Sequence, residues 1–243
     1  MDSIFLIAAL VGGVSLLYAT AGQAGGTAFL AVMAVTGFAA DEMRPTVLAL
    51  NIVAAGYATW RLHRSSTIDW TLLRRLTLPS LVTAFAGGLV VLEGRPYFIL
   101  SGLLLIAAAL LMMLKRDTSN GPERPIPWLL AALAGGGAGL LSGLSGVGGG
   151  VFLAPQLVAF GWASPKRAAA LSPPFILCNS IVGLAAVLIA GQRLAPATTV
   201  YAAGALAGAI LGTAIGLRWM SGRATRLAMA TIMVFAGFRL LLR

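Results

Sequence analysis

Apolar runs separated by short polar breaks fill this chain from end to end. They cover residues 3–21, 27–40, 45–60, 70–92 and 96–114; after a polar stretch at 115–127 the order recurs as 128–144, 151–160, 167–190, 195–217 and 224–242. Most approach the roughly 20 apolar residues that carry a helix across a bilayer, so the pattern predicts an all-α, polytopic helical membrane protein. Two runs are short, and the longer of them, 27–40, would make only about 21 Å of helix at about 1.5 Å per residue. Each short run comes second in its half, behind a cluster of glycines.

The second-half cluster is the denser. Leu-Ser-Gly-Leu-Ser-Gly-Val-Gly-Gly-Gly-Val-Phe-Leu-Ala-Pro fills 141–155, placing Ser142, Ser145, Gly146, Gly148, Gly149 and Gly150 in otherwise apolar sequence. Glycine weakens a helix by roughly 1 kcal/mol per residue relative to alanine, so the helix should open here. Open backbone at membrane depth persists only where protein, water or a ligand satisfies its N–H and C=O groups. The cluster therefore reads either as a binding loop or as a close helix contact through small residues. Contiguous glycines favour the loop, because a packing face needs small residues spaced along it.

The polar stretch divides the chain into a first repeat (1–114), a linker (115–127) and a second repeat (128–243). Gly25-Gly26-Thr27-Ala28-Phe29-Leu30-Ala31 matches Gly148-Gly149-Gly150-Val151-Phe152-Leu153-Ala154; Arg44-Pro45 with Asn51 matches Ser172-Pro173 with Asn179; Gly94-Arg95 matches Gly222-Arg223. Such internal repeats are typical of secondary transporters, whose sites lie near the midplane where interrupted segments meet. If the short segments cross the membrane, the halves are inverted, and the 17 basic residues divide twelve to five in favour of the side holding the linker. If the short segments are re-entrant, the halves are parallel and the division is ten to seven. The positive-inside rule favours the inverted arrangement, with the linker and the 61–75 loop cytoplasmic and both termini outside.

Composition agrees: 59% hydrophobic, 10% charged and a mean hydropathy of +0.93, against about a quarter charged residues in soluble domains. The net charge of +10 does not point to nucleic acid, because the basic residues sit at segment ends, where they report topology and headgroup contact. The first residues, Met-Asp-Ser-Ile-Phe, lack the basic start of a cleavable signal, so the first run is expected to stay as a helix. Cys178 is the only cysteine, so no intramolecular disulfide forms and the thiol reads as a small buried apolar group.

The 141–155 stretch, the following polar loop ending in Ala168-Ala169-Ala170, and Ser172 with Asn179 beyond it resemble the second-half signature of the TauE/SafE family. The weaker copy at Gly22–Ala31 and the two-half plan resemble that family as well, so the likeness spans nearly the whole chain. The resemblance implies a permease in the cell (inner) membrane for sulfite, sulfonates such as sulfoacetate, or another small sulfur-containing or organic anion. Two departures make the halves chemically unequal: Gln23 and Ala24 stand where Ser/Gly-Val is more usual, and Arg44 stands where the second half has Ser172.

An anion site can be built from helix N-termini, which offer unpaired amides and about half a positive charge. The candidates are the amides of Gly25, Gly26 and Thr27 and of Gly148, Gly149 and Gly150, the hydroxyl of Ser145, and the side chains of Gln23, Thr27 and Gln156. Asn51, Ser172 and Asn179, one helix later, either line the site or tie broken backbone together. The substrate is expected on Gly148–Gly150 and Ser145, with Gln23 and Gly25–Gly26 from the first half. Neither Gly149 nor Ser145 is expected to matter for folding. Pro155, Pro173 and Pro174 should kink or start helices.

All seven carboxylates fall at segment ends or in the linker, so no residue stands where proton relays and cation sites place theirs. Arg44, before Pro45 and beside Asp41 and Glu42, reads as an interfacial arginine paired with a carboxylate, or as a vestibule residue that attracts anions. The lone His63 reads as a headgroup contact and cannot hold a metal unaided. With no nucleophile–base pair, phosphate loop or ligand cluster, neither an enzyme nor a cofactor is expected. The expected partners are a small anion and the bilayer, with a homodimer left open. The rival reading is a non-transporting assembly or accessory subunit, for which Gly-rich packing would suffice.

Overall fold

The computed structural model of the chain describes residues 2–20, 23–92, 94–114, 123–216 and 222–242. Most of the linker (115–122, with Lys115, Arg116 and Asp117), Ala21, Gly22, Glu93, Arg218 and Arg243 lie outside the described residues. Among those described there are ten helices and no strand: α1 (Asp2–Thr20), α2 (Gly26–Thr36), α3 (Ala40–Arg64), α4 (Trp70–Leu89), α5 (Arg95–Leu114), α6 (Trp128–Ser145), α7 (Gly150–Ala159), α8 (Pro165–Ile189), α9 (Thr198–Gly216) and α10 (Gly222–Leu241). Each falls on an apolar run read from the sequence. The chain is a helical membrane protein: Ser3–Thr20, Trp128–Ser145 and Lys166–Ile189 are long and apolar enough to cross a bilayer. Leu78, Val82, Leu133, Ile189, Leu211 and Phe235 turn apolar side chains outward, a surface suited to lipid. Pro45 lies inside α3, and α8 continues through both Pro173 and Pro174, so these residues free carbonyls one turn back without starting a helix.

Glycine spacing explains how the helices pair. A Cβ on Gly135, Gly139 or Gly143 of α6 would come within 2.0, 2.3 and 2.2 Å of the carbonyl oxygens of Leu76, Ser80 and Ala84 on α4. On α9, Gly204, Gly208 and Gly212 meet Ala8, Gly12 and Leu16 of α1 in the same way, at 2.4, 2.1 and 2.3 Å. Both seams therefore run parallel, backbone on backbone, as small-residue contacts do in membranes. Antiparallel contacts join α5 to α10 (Gly102 beside Leu241, Gly237 beside Ile106) and α3 to α8 (Leu48 beside Gly183, Gly56 beside Leu177). Exchanging α1–α5 with α6–α10 carries this set of neighbours onto itself. The α4–α6 pair becomes α9–α1, α4–α8 becomes α9–α3, and α5–α10 and α3–α8 map onto themselves.

One end of the bundle is held by charge. Arg167, at the start of α8, forms ion pairs with Asp69 before α4 and with Glu123 of the linker. Glu123 also accepts the Ser164 amide at 2.8 Å, and Asp69 caps α4 by accepting the amides of Thr71 and Leu72, each at 3.0 Å. Partial burial alone would raise the Asp69 carboxyl, but Arg167 and the two amides hold it below the usual carboxylate range; the Ser164 amide, with Arg167, does the same for Glu123. Both carboxylates thus support the fold above about pH 4, where the unfolded groups are already ionised, and lose that support as the pH falls through their depressed values. The helix ends here carry Trp60, Trp70 and Trp128, with Arg64 stacked 4.6 Å over Trp60 and His63 edge-on to Trp70, a belt suited to a membrane interface. Replacing Glu123 by Ala should cost no more than about 1 kcal/mol, as for exposed ion pairs. Asp69→Ala should cost about 1–2 kcal/mol more, because the helix cap goes with it. Thermal unfolding in detergent would rank the two, and equal losses would deny the cap its role.

Candidate functional site

Two helical hairpins enter the bundle from opposite ends and meet tip to tip. The α6–α7 hairpin comes from the ion-paired end and turns at Gly146–Gly149. The α1–α2 hairpin comes from the other end and turns ahead of Gly26. Both return legs are short, about 16 Å for α2 and about 15 Å for α7 at 1.5 Å per residue, which leaves their N-termini inside the protein. The turns need glycine: Gly25, Gly146, Gly148 and Gly149 have φ of 96°, 82°, 87° and 75°, the left-handed region that other residues rarely occupy. The tips touch. A Cβ on Gly26 would stand 2.1 Å from the Val147 carbonyl oxygen and 2.8 Å from both amide atoms of Asn51. On Gly148 it would stand 2.7 Å from Ile176, 3.1 Å from Asn51 Nδ2 and 3.4 Å from Ser180 Oγ.

Backbone donors collect at this contact. Phe29 donates to Gly25, and Phe152 and Leu153 to Gly149, which closes the first turns of α2 and α7. Among the described residues no acceptor takes the amides of Gly26, Thr27 or Ala28, nor those of Gly149 or Val151. Two N-terminal dipole ends therefore converge at one buried place. Polar side chains around it are also incompletely paired. Asn51 donates from Nδ2 to Gly146 O at 3.2 Å and Asn179 to Phe175 O at 2.9 Å, leaving both Oδ1 atoms without a partner. The hydroxyls of Ser142 and Ser180 have none either, and all four residues are fully buried. Orphaned polar atoms are rare in native interiors, and these are four of the ten found among the described residues.

A family model described as the sulfite exporter TauE/SafE matches residues 4–240, nearly the whole chain. The chain belongs to the TauE/SafE family. It is also 29% identical over 233 residues to the probable membrane transporter protein y4hK of Sinorhizobium fredii (strain NBRC 101917 / NGR234), an alignment that covers 94% of each chain. No solved structure matches it significantly.

The geometry sorts the candidates this TauE/SafE chain offers. Gly25, Gly26, Gly148, Gly149, Gly150, Asn51 and Asn179 are brought to the two tips or one helix turn from them. Three hydroxyls are already engaged: Ser145 Oγ donates to Leu141 O at 2.6 Å and accepts the Val147 amide, Ser172 Oγ donates to Ala168 O at 3.0 Å, and Thr27 Oγ1 lies 2.8 Å from the Tyr18 hydroxyl. Gln23 and Gln156 are half-buried on the flanks. Gly149 does matter for folding, contrary to the sequence expectation, since its φ is 75° and a Cβ would stand 2.7 Å from the Ala138 carbonyl oxygen. Arg44 is corrected as well. It does not pair with Asp41 or Glu42 at an interface; it is fully buried and donates to Val90 O at 2.8 Å, Gly87 O at 2.8 Å and Gly88 O at 2.5 Å. Ser180 and Ser142 were the residues not singled out as ligands. Ser180 follows Asn179, and only tertiary packing reveals that its hydroxyl is unpaired. Cys178, beside them on α8, is a half-buried free thiol.

Proposed function

We propose that this chain is a multi-pass permease of the inner membrane that moves a small sulfur-containing or organic anion by alternating access around the two hairpin tips. The observation that carries this reading is the convergence of two half-length helix N-termini, with unpaired amides, among four buried and unpartnered polar side chains. Donors of that kind hold an anion without a fixed charge, as at other helix N-termini. The family's description as sulfite exporters makes sulfite the first substrate to try.

The arrangement we infer is the inverted five-plus-five repeat. Antiparallel α5 and α10, antiparallel α3 and α8, and the meeting of Asp69, Glu123 and Arg167 at one end all support it. Parallel halves with re-entrant segments would require the two helix pairs to run parallel and would send Arg167 to the opposite end. Rocking one half against the other would expose the tips to each side in turn, as in other inverted-repeat transporters. Reconstituted into liposomes, the purified chain should move labelled sulfite or a sulfonate down its gradient, saturably and faster than empty vesicles. A correctly inserted protein that moves none of these anions would leave the accessory-subunit reading in its place.

A further inference from the structure

We infer that the ligand taken between the hairpin tips is a singly charged oxyanion that still carries a proton, such as hydrogen sulfite, and not the fully deprotonated dianion. The inference rests on the anion-permease reading and narrows it. The tips offer two kinds of hydrogen-bonding group. The unpaired amides of Gly26–Ala28, Gly149 and Val151 can only donate. The Oδ1 atoms of Asn51 and Asn179 can only accept, because carbonyl oxygens of Gly146 and Phe175 hold the Nδ2 ends of both side chains. Asn51 is the one set between the tips. Its Oδ1 lies 2.8 Å from the place of a Gly26 Cβ, and its Nδ2 lies 3.1 Å from the corresponding place at Gly148. Ser180 Oγ, 3.4 Å from that second place, can donate or accept.

A sulfite dianion brings acceptors alone. It would satisfy the amides while turning an oxygen on the oxygen of Asn51, leaving that buried acceptor unpaired. A hydrogen-bearing monoanion satisfies both sets, with its charged oxygens on the amides and its O–H donated to Asn51 Oδ1. Charge points the same way. The cationic side chain beside the tips, Arg44, has its Cγ 3.2 Å from the place of a Gly146 Cβ but turns its guanidinium onto the carbonyl oxygens of Gly87, Gly88 and Val90, and the desolvation cost of an ion grows with the square of its charge, so a dianion costs about four times as much as a monoanion. The titratable and charged side chains on the buried stretches of the elements around the tips are Tyr18 on α1, Arg44 on α3, Tyr97 on α5 and the half-buried Cys178 on α8; outside those stretches α3 carries Asp41, Glu42, Tyr57, Arg61, His63 and Arg64, α5 carries Arg95, and α8 carries Lys166 and Arg167. Tyrosine and arginine keep one charge state between pH 6 and 8, and the Cys178 thiol is removed from the protein to be tested. Any proton read there in that range therefore arrives with the ligand.

The full-length protein carrying Cys178→Ala, purified in detergent, would be titrated calorimetrically with sulfite at about pH 6 and about pH 8. Sulfite exchanges its last proton between these values. Methanesulfonate, a monoanion with no proton to give, and sulfate, a dianion at both values, serve as comparators. We expect the affinity counted on total sulfite to fall about tenfold from the lower to the higher pH. Methanesulfonate should bind independently of pH and roughly five- to a hundredfold more weakly than sulfite at pH 6, the loss expected for one missing partner to a buried acceptor. Sulfate should bind least. Sulfite binding that ignores pH, or sulfate binding as tightly as sulfite, would overturn the inference while leaving the anion site standing. If no sulfur oxyanion binds at either pH, the reading of the tips as a sulfur-oxyanion site falls too.

Discussion

Replacing Gly26 by alanine should abolish transport, although it adds one methyl group to a buried apolar neighbourhood. The residue does not occupy the left-handed region, so its backbone can accept a Cβ. What cannot accept it is the opposite hairpin, with the Val147 carbonyl oxygen at 2.1 Å and both amide atoms of Asn51 at 2.8 Å. Backbone must shift there, which separates the tips and displaces Asn51. Overpacking of this kind costs about 1–3 kcal/mol, and nearly all of it falls on the geometry of the proposed site. Two neighbours supply the comparison. Gly13 on α1 and Gly137 on α6 have nothing within 4 Å of an added Cβ, so alanine there should keep full flux and add up to about 1 kcal/mol of helix stability. Flux in liposomes and melting in detergent, measured on all three, separate a site effect from a general cost of losing glycine. Normal flux in Gly26→Ala would show that the hairpin contact is not on the transport path.

The hydrophobic pattern was enough to place every described helix, including the two short ones, because a chain in lipid has few ways to satisfy its backbone. The contiguous glycines marked the break at 146–150 for the same reason. Other features depend on what lies across from a residue. The glycines at 135, 139 and 143 and those at 204, 208 and 212 stand four apart, but only the facing carbonyls of α4 and α1 make them seams. Ser145 looked like a free donor because it borders the glycines, yet a serine in the last turn of a helix readily bonds back to the carbonyl four residues earlier, and this one does. Asn51 and Asn179 were legible as a pair, through their matching places after a proline. Which end of each amide remained open required the positions of Gly146 and Phe175.

Arg44 had the largest gap between sequence and structure, and its removal should carry the largest cost in stability. Beside two carboxylates it looked like a surface residue, but α3 begins early enough to pull it into the bundle, where it meets the C-terminus of α4. The last carbonyls of any helix lack partners and carry the negative end of its dipole. At α4 the Arg44 guanidinium takes those of Gly87 and Gly88, and Val90 just beyond, so a buried cation is balanced by backbone oxygen instead of by a carboxylate. Arg44→Ala leaves three carbonyls open at a depth where water does not substitute. At about 1.5–3 kcal/mol for each bond to a charged group, less some relaxation, the loss should be roughly 3–6 kcal/mol, enough to unfold a marginal membrane protein. Lysine keeps the charge but not the planar fork, so Arg44→Lys should recover about half. Melting temperatures and anion affinity of both variants distinguish the two roles open to this residue. Stability lost in that order makes Arg44 the cap of α4. Unchanged melting with anion binding lost would make it a charge on the anion's path.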